Sequence, residues 1–154
     1  MLDTYLAWQI ENRNEIVGVE KRFQIMIAGR TVKGFIDRIE KTPEGGYVVI
    51  DFKTGSKPSD LTKNTIPENL QMNVYSLTVQ QLFGSVPERA SLFYLKDEKM
   101  VDYHPSLESM GVFRTRIEGL ITQICAEEFE AKPSERTCRR CDFGEVCGER
   151  EGIQ

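Results

Sequence analysis

The chain has 154 residues, 40% of them hydrophobic and 29% charged, and its 20 Lys and Arg against 24 Asp and Glu give a net charge of −4 and a pI near 5.2. That length suits one domain with a modest core, and the acidic balance excludes a generic nucleic-acid coat, so any contact with a polyanion has to be local. The apolar runs are far too short to cross a membrane, and with no segment that reads as a signal peptide and no secreted disulfide pattern a reducing cytoplasm is expected.

Residues 1–12 read as a partial helix with Leu2, Tyr5, Leu6 and Trp8 to bury. Residues 17–27 read as a strand, Ala28-Gly29 as a tight turn, and residues 32–40 as the antiparallel partner. A turn over 42–46, with hairpin length and chemistry, leads into the β-branched and aromatic run from Tyr47. A long loop over 55–67 follows, of the kind that is often functional in a small domain. A helix over 68–83 is closed by Gly84, strands follow at 90–95 and 101–103, and an amphipathic helix spans 107–130 until Pro133 ends it. The crossover from the third strand through the 68–83 helix predicts a parallel, right-handed pairing with the fourth. The whole reads as an α/β fold, a mixed central sheet flanked by helices. A core over 1–132 is followed by a cysteine-rich tail over 133–154.

The chemistry concentrates in Gly34-Phe-Ile-Asp-Arg-Ile-Glu40 and Asp51-Phe-Lys-Thr-Gly55. Carboxylates and a lysine on buried strands are costly unless they bind something. If Ile27 faces Arg30 and Lys41 faces Tyr47, the simplest meander lines up Glu20, Asp37 and Asp51 across three strands. Lys53 then shares a face with Asp51. Like charges directly opposite are destabilising without a cation, and hard divalent ions such as Mg²⁺ or Mn²⁺ take such oxygen clusters.

The pattern G-x-x-D-R-x-E, then hydrophobics, then D-x-K-T-G resembles the PD-(D/E)xK nuclease superfamily, and within it the RecB-type exonuclease domain of RecB, AddB and CRISPR-associated relatives. Gln71-Met-Asn-Val-Tyr75 is similar to that group's Q-x-x-x-Y motif, and Cys138, Cys141 and Cys147 are similar to the cysteine triplet of its iron–sulfur members. The resemblance implies a restriction-endonuclease-like fold and metal-dependent cleavage of DNA. In that reading Asp37 and Asp51 are metal ligands, joined by a backbone carbonyl near Phe52, and Glu20 is a further ligand or orients a water. Lys53 stabilises the developing phosphorane charge. Gln71 and Tyr75, four apart on one helix face, contact the DNA backbone or brace the lysine. Repair, recombination or CRISPR-related processing, beside a helicase or another subunit, is the implied setting. The family's upstream histidine has no counterpart. The one histidine, His104, is out of order for that role and reads as a strand-end surface residue. A C-terminal fragment or truncated variant of a longer nuclease is therefore expected, with its metal site one ligand short.

The spacing C-x2-C-x5-C is a metal or cluster signal rather than a disulfide one. Iron–sulfur clusters take four thiolates, and the relatives' fourth, far upstream, is missing here, so a [4Fe–4S] cluster would be incomplete. Cys125 reads as a small core thiol beside the stripe Met110, Phe113, Ile117, Ile121 and Ile124; the alternative is that it completes a four-cysteine zinc site. Local basic candidates are Lys53, Lys57 and Lys63, and Arg136, Arg139 and Arg140 beside the cysteines. Besides the nuclease, two readings stand: a nuclease-like module that binds DNA without cutting, and a zinc-stabilised structural domain of a helicase–nuclease complex.

Overall fold

The computed structural model describes residues 2–139 and 141–150. Within it the chain forms two units, one extending to Gly119 and one from Leu120 onward. The boundary read from sequence at residue 132 lies inside the second unit.

The first unit is built on a five-stranded mixed sheet in the order β1-β2-β3-β4-β5, with β1 at Glu15–Ile27, β2 at Arg30–Lys41, β3 at Tyr47–Lys53, β4 at Arg89–Tyr94 and β5 at Lys99–Tyr103. Ile27 pairs with Arg30 across the first turn, where Ala28 and Gly29 take φ of 48° and 69°. Two successive left-handed residues give the turn type that suits the twist of a hairpin. At the second turn Lys41 pairs with Tyr47, and Gly46 donates to Thr42 Oγ1 at 3.0 Å. The pairing of β3 with β4 is parallel, because helix α2 (Leu70–Phe83) carries the chain across one face. Asn69 caps this helix by accepting from Met72 N, and Gly84, at φ 80°, ends it.

Helix α2 is buried along most of its length, and its polar residues satisfy themselves locally. Ser76 Oγ donates to Met72 O and Thr78 Oγ1 to Val74 O, while Asn73 Nδ2 donates to Pro67 O and Asn69 O. The apolar core includes Leu77 on this helix and Ile36, Ile39, Val49 and Leu92 on the sheet, all essentially without exposure.

Helix α1 (Leu2–Glu11) departs from expectation: Leu2 is 70% exposed and Leu6 is exposed too. Only Tyr5 and Trp8 pack inward, on Phe52 and Phe93. Next to them lies a buried ion pair. Arg38, 2% exposed, places Nε 2.5 Å from Glu40 Oε1, and Glu40 is fully buried. Asn12 and Asn14 donate to the two Glu40 oxygens at 2.6 and 2.9 Å, Arg38 Nη1 donates to Tyr5 OH, and the guanidinium lies 5.0 Å over Trp8. These bonds tie α1 and the segment after it to β2, in place of the apolar burial that was expected.

Helix α3 spans Leu107–Cys125 and stops short of the predicted 130. Its buried residues are Met110, Phe113 and Ile117; Ile124 is 58% exposed and Cys125 is exposed rather than a core thiol. With no fully buried apolar residue beyond Ile117 to extend it, the helix ends as Glu127 turns left-handed at φ 58° and Glu128 N donates to Gln123 O. In the second unit, α4 (Glu135–Cys138) is capped by Ser134.

Candidate active site

The carboxyl end of β3 and the first turn of α2 bring four predicted residues into one hydrogen-bonded circuit. Asp51 is the last fully buried residue of its strand, 2% exposed. Lys53, two positions on, places Nζ 2.6 Å from Asp51 Oδ2 and donates to Gln71 Oε1 at 2.9 Å. Gln71 Nε2 donates to Asp51 Oδ1 at 2.7 Å and to Tyr75 OH at 2.8 Å. The i, i+4 spacing puts Gln71 and Tyr75 on one face of α2, and the positive end of the helix dipole lies beside the carboxylate. Phe52, between Asp51 and Lys53, faces the other side and is fixed there by Tyr5, Trp8 and Phe93.

Asp37 joins this circuit from β2. The ladder with β3 runs as far as Arg38 opposite Ile50, and one further step would place Asp37 opposite Asp51. There the strands separate, and Asp37 Oδ2 accepts from Phe52 N at 2.9 Å. The carboxylate thus takes over a backbone donor that the ladder leaves open.

Burial raises the Asp51 pKa; the Lys53 ammonium opposes that shift and the Asp37 charge adds to it. Tyr75 is held above the usual phenol value by burial, with Gln71 opposing, and Tyr94 likewise by burial, with Lys53 opposing. The Lys53 ammonium, 2.6 Å from Asp51 Oδ2, is the positive charge that this buried oxygen meets. A buried carboxylate within electrostatic reach of a second one, Asp37, is an oxygen donor pair of the kind a hard cation that keeps several waters takes.

Glu20 lies outside this set. Its neighbours pair as expected, Val19 with Arg38 and Lys21 with Ile36, but Glu20 is exposed and takes a left-handed φ of 45°. Among the described residues no three His, Cys, Asp or Glu side chains gather to hold a metal, so the row of three carboxylates does not form. The same holds for the cysteines: Cys138 is partly exposed, Cys141 and Cys147 are exposed, and their thiols are free and ungrouped. As placed, they do not fit a cluster. Arg139 pairs with Glu135 at 2.8 Å, and Arg140 lies outside the described residues. His104 is exposed, with Nδ1 2.8 Å from Glu88 O.

Three features were not read from the sequence. Gly34 leaves space for the Phe23 ring: a Cβ there would lie 2.9 Å from Phe23 Cζ. Phe23 in turn meets Tyr75 edge-on at 6.0 Å, so the motif glycine reaches the site through one ring. Tyr94 sits beside Lys53, and its place in register with Lys53 was the signal available. The Arg38–Glu40 pair was visible as two charges inside an otherwise apolar strand.

A mixed five-stranded sheet flanked by helices, with acidic residues and a lysine where its central strands diverge, defines a restriction-endonuclease-like fold. The model of the PD-(D/E)XK nuclease superfamily matches residues 1–148, and the chain belongs to that superfamily. Among solved structures it is similar to the crystal structure of SSO0001, at 20% identity and a TM-score of 0.51, covering 97% of this chain and 68% of that one. No curated protein matches it. No helix among the described residues is long and apolar enough to cross a membrane.

Proposed function

We propose that the protein is a metal-dependent DNA nuclease of the RecB type, hydrolysing phosphodiester bonds with Mg²⁺ or Mn²⁺ held by Asp37 and Asp51. The observation that carries this reading is the buried Asp51 carboxylate, close enough to Asp37 to feel its charge and held by Lys53 and Gln71 in one circuit. The chemistry supplied by a divalent cation bound there is Lewis acidity toward the phosphate and a water of lowered pKa. Phe52 N holds Asp37 in place through its Oδ2. Gln71 fixes both Asp51 and Lys53, and Tyr75 fixes Gln71. Lys53 presents its ammonium to the negative charge that builds on the phosphate in the transition state. Its place against Asp51 and Gln71 suits electrostatic stabilisation.

Cleavage of end-labelled single- and double-stranded DNA with Mg²⁺ or Mn²⁺ tests the reading. Wild-type protein should cut, and Asp51→Ala should not, while keeping its fold. Cutting that survives in Asp51→Ala would show that the site is elsewhere.

A second reading, a module that binds DNA without cutting it, is favoured by one observation: Glu20 stands apart, so only Asp37 and Asp51 of the three expected carboxylates would be left to hold a cation. The cysteine spacing still supports an iron–sulfur cluster or zinc in the tail, and metal analysis of the purified protein separates iron, zinc and neither. A helicase or CRISPR-related partner follows from the RecB likeness alone.

A further inference from the structure

We infer that the groove between the 54–65 loop and the β4–β5 turn seats the sugar-phosphate backbone of a nucleic acid, with Lys63 and Lys99 contacting phosphates on the way to Lys53. The inference rests on the reading of the site as a phosphodiesterase, and it assigns a substrate-binding surface that reading does not contain.

The groove encloses about 410 Å³ and is lined by Lys57, Lys63 and Lys99 against a single carboxylate, Glu98. That excess of positive charge is local to a chain whose net charge is −4. The carboxylate is also engaged: Glu98 Oε1 accepts from Thr4 Oγ1 at 2.6 Å.

Register ties the groove to the catalytic lysine. Lys53 pairs with Tyr94 on β4, and Tyr94 pairs with Lys99 on β5. Directly paired residues share a face, so Lys53, Tyr94 and Lys99 form one row. Two strand spacings put the Lys99 backbone roughly 10 Å from that of Lys53. Tyr94, between them in register, is buried. The two lysines therefore flank a closed floor rather than a solvent gap.

The opposite wall is built in advance. Asp97, in the β4–β5 turn, accepts from Lys57 N at 2.6 Å. Lys57 Nζ donates to the carbonyls of Pro58 and Leu61 and so folds the loop on itself, while its charge stays at the groove. Thr65 Oγ1 accepts from Thr62 N and donates to Asp60 O. Lys63 is exposed at the tip of this braced turn. Lysines carried on a braced loop and an adjoining strand are placed to neutralise phosphates along the groove. An acidic peptide would also be attracted. Continuity with Lys53, whose setting is a phosphate site, selects the nucleic acid.

The test uses the full chain with a fluorescent single-stranded oligonucleotide, and in parallel a duplex, in EDTA so that nothing is cut. The variant is Lys63→Ala/Lys99→Ala, and the control is Lys33→Ala/Lys41→Ala, two exposed lysines on β2 that change net charge equally. The plot of log affinity against log salt should become shallower by about 1.4 for the single strand, about 0.7 for each lost phosphate contact. In cleavage assays KM should rise with kcat unchanged. An unchanged salt slope, an equal change in the control pair, or an unlabelled acidic peptide that displaces the oligonucleotide from wild type and not from the variant would overturn the inference. Protein that binds with the predicted slopes and never cuts would sink the nuclease reading while leaving the groove in place.

Discussion

Gly34→Ala tests whether the motif glycine acts on the site through Phe23. The added methyl would lie 2.9 and 3.0 Å from Phe23 Cζ and Cε1, against about 3.5–4.0 Å for relaxed carbon contact. The ring has to move by roughly 0.5–1 Å to recover that spacing, yet it is buried and meets Tyr75 edge-on. Overpacking of this kind costs about 1–3 kcal/mol, and each kcal/mol lowers the Tm by about 2–4 °C at this chain length. The displacement passes on, because Tyr75 OH holds Gln71 Nε2 and Gln71 holds Lys53 and Asp51. Misplacement of a catalytic group by about 1 Å costs up to ~10²-fold in rate, so the single-turnover rate should fall by tenfold or more. Thermal denaturation and single-turnover cleavage of Gly34→Ala, Phe23→Leu and the double variant form the assay. Phe23→Leu removes the ring edge and should rescue Gly34→Ala, with a coupling energy of about 1 kcal/mol or more. Strictly additive losses, or an alanine at 34 that changes neither Tm nor rate, would refute the reasoning.

Other outcomes follow from single features. Asp51 keeps its proton to a higher pH when folded than when unfolded, because burial raises its pKa from 3.8. The contribution of this one group to the stability of the metal-free protein is thus full below that window, is lost as the pH rises through it, and is level above. Asp51→Asn removes this loss along with catalysis, so its metal-free Tm at neutral pH should exceed wild type by about 2–4 °C for a gain of ~1 kcal/mol. Mg²⁺ should raise the Tm of wild type alone; a lower metal-free Tm for the variant contradicts the burial argument. Glu40→Ala strands the buried Arg38 and leaves Asn12 and Asn14 without their acceptor. Urea unfolding should report a loss of about 3–5 kcal/mol, and a loss below about 1 kcal/mol would count against a structural role. Ala28 holds a left-handed φ of 48°, so Ala28→Asn should gain roughly 1 kcal/mol; an unchanged urea midpoint would show that the turn is unstrained.

Hairpin chemistry made much of this fold readable. Ala28-Gly29 and the turn at Gly45-Gly46 set the registers of the first three strands, and those registers place Asp37 next to Asp51. Period-two alternation put Lys53 beside Asp51, and period-four spacing put Gln71 below Tyr75. Register alone failed at Glu20, where the count is right but a left-handed backbone turns the side chain outward. That conformation leaves no mark in an ordinary Val-Glu-Lys sequence. Leu2 and Leu6 looked like core residues because apolar spacing does not say whether a partner surface exists. The end of α3 was misplaced for a related reason: Ile121 and Ile124 continue the pattern after the packing that would use it has stopped. The bonds that hold α1 were hidden because Asn12, Asn14 and Glu40 are far apart in sequence and none is apolar.

The measurement that bears most directly on the account is the single-turnover rate of DNA cleavage by wild type and by Lys53→Ala, each in Mg²⁺ and in EDTA, with equal folding verified by melting. Lys53 Nζ is the point where Asp51 and Gln71 converge, and its side chain is about one-third exposed, so its loss should leave the fold intact. The account predicts cutting by wild type in Mg²⁺, none in EDTA, and a fall of 10²-fold or more in Lys53→Ala, the scale of losing one electrostatic stabiliser. Metal-independent cutting, or equal rates in wild type and Lys53→Ala, would contradict it.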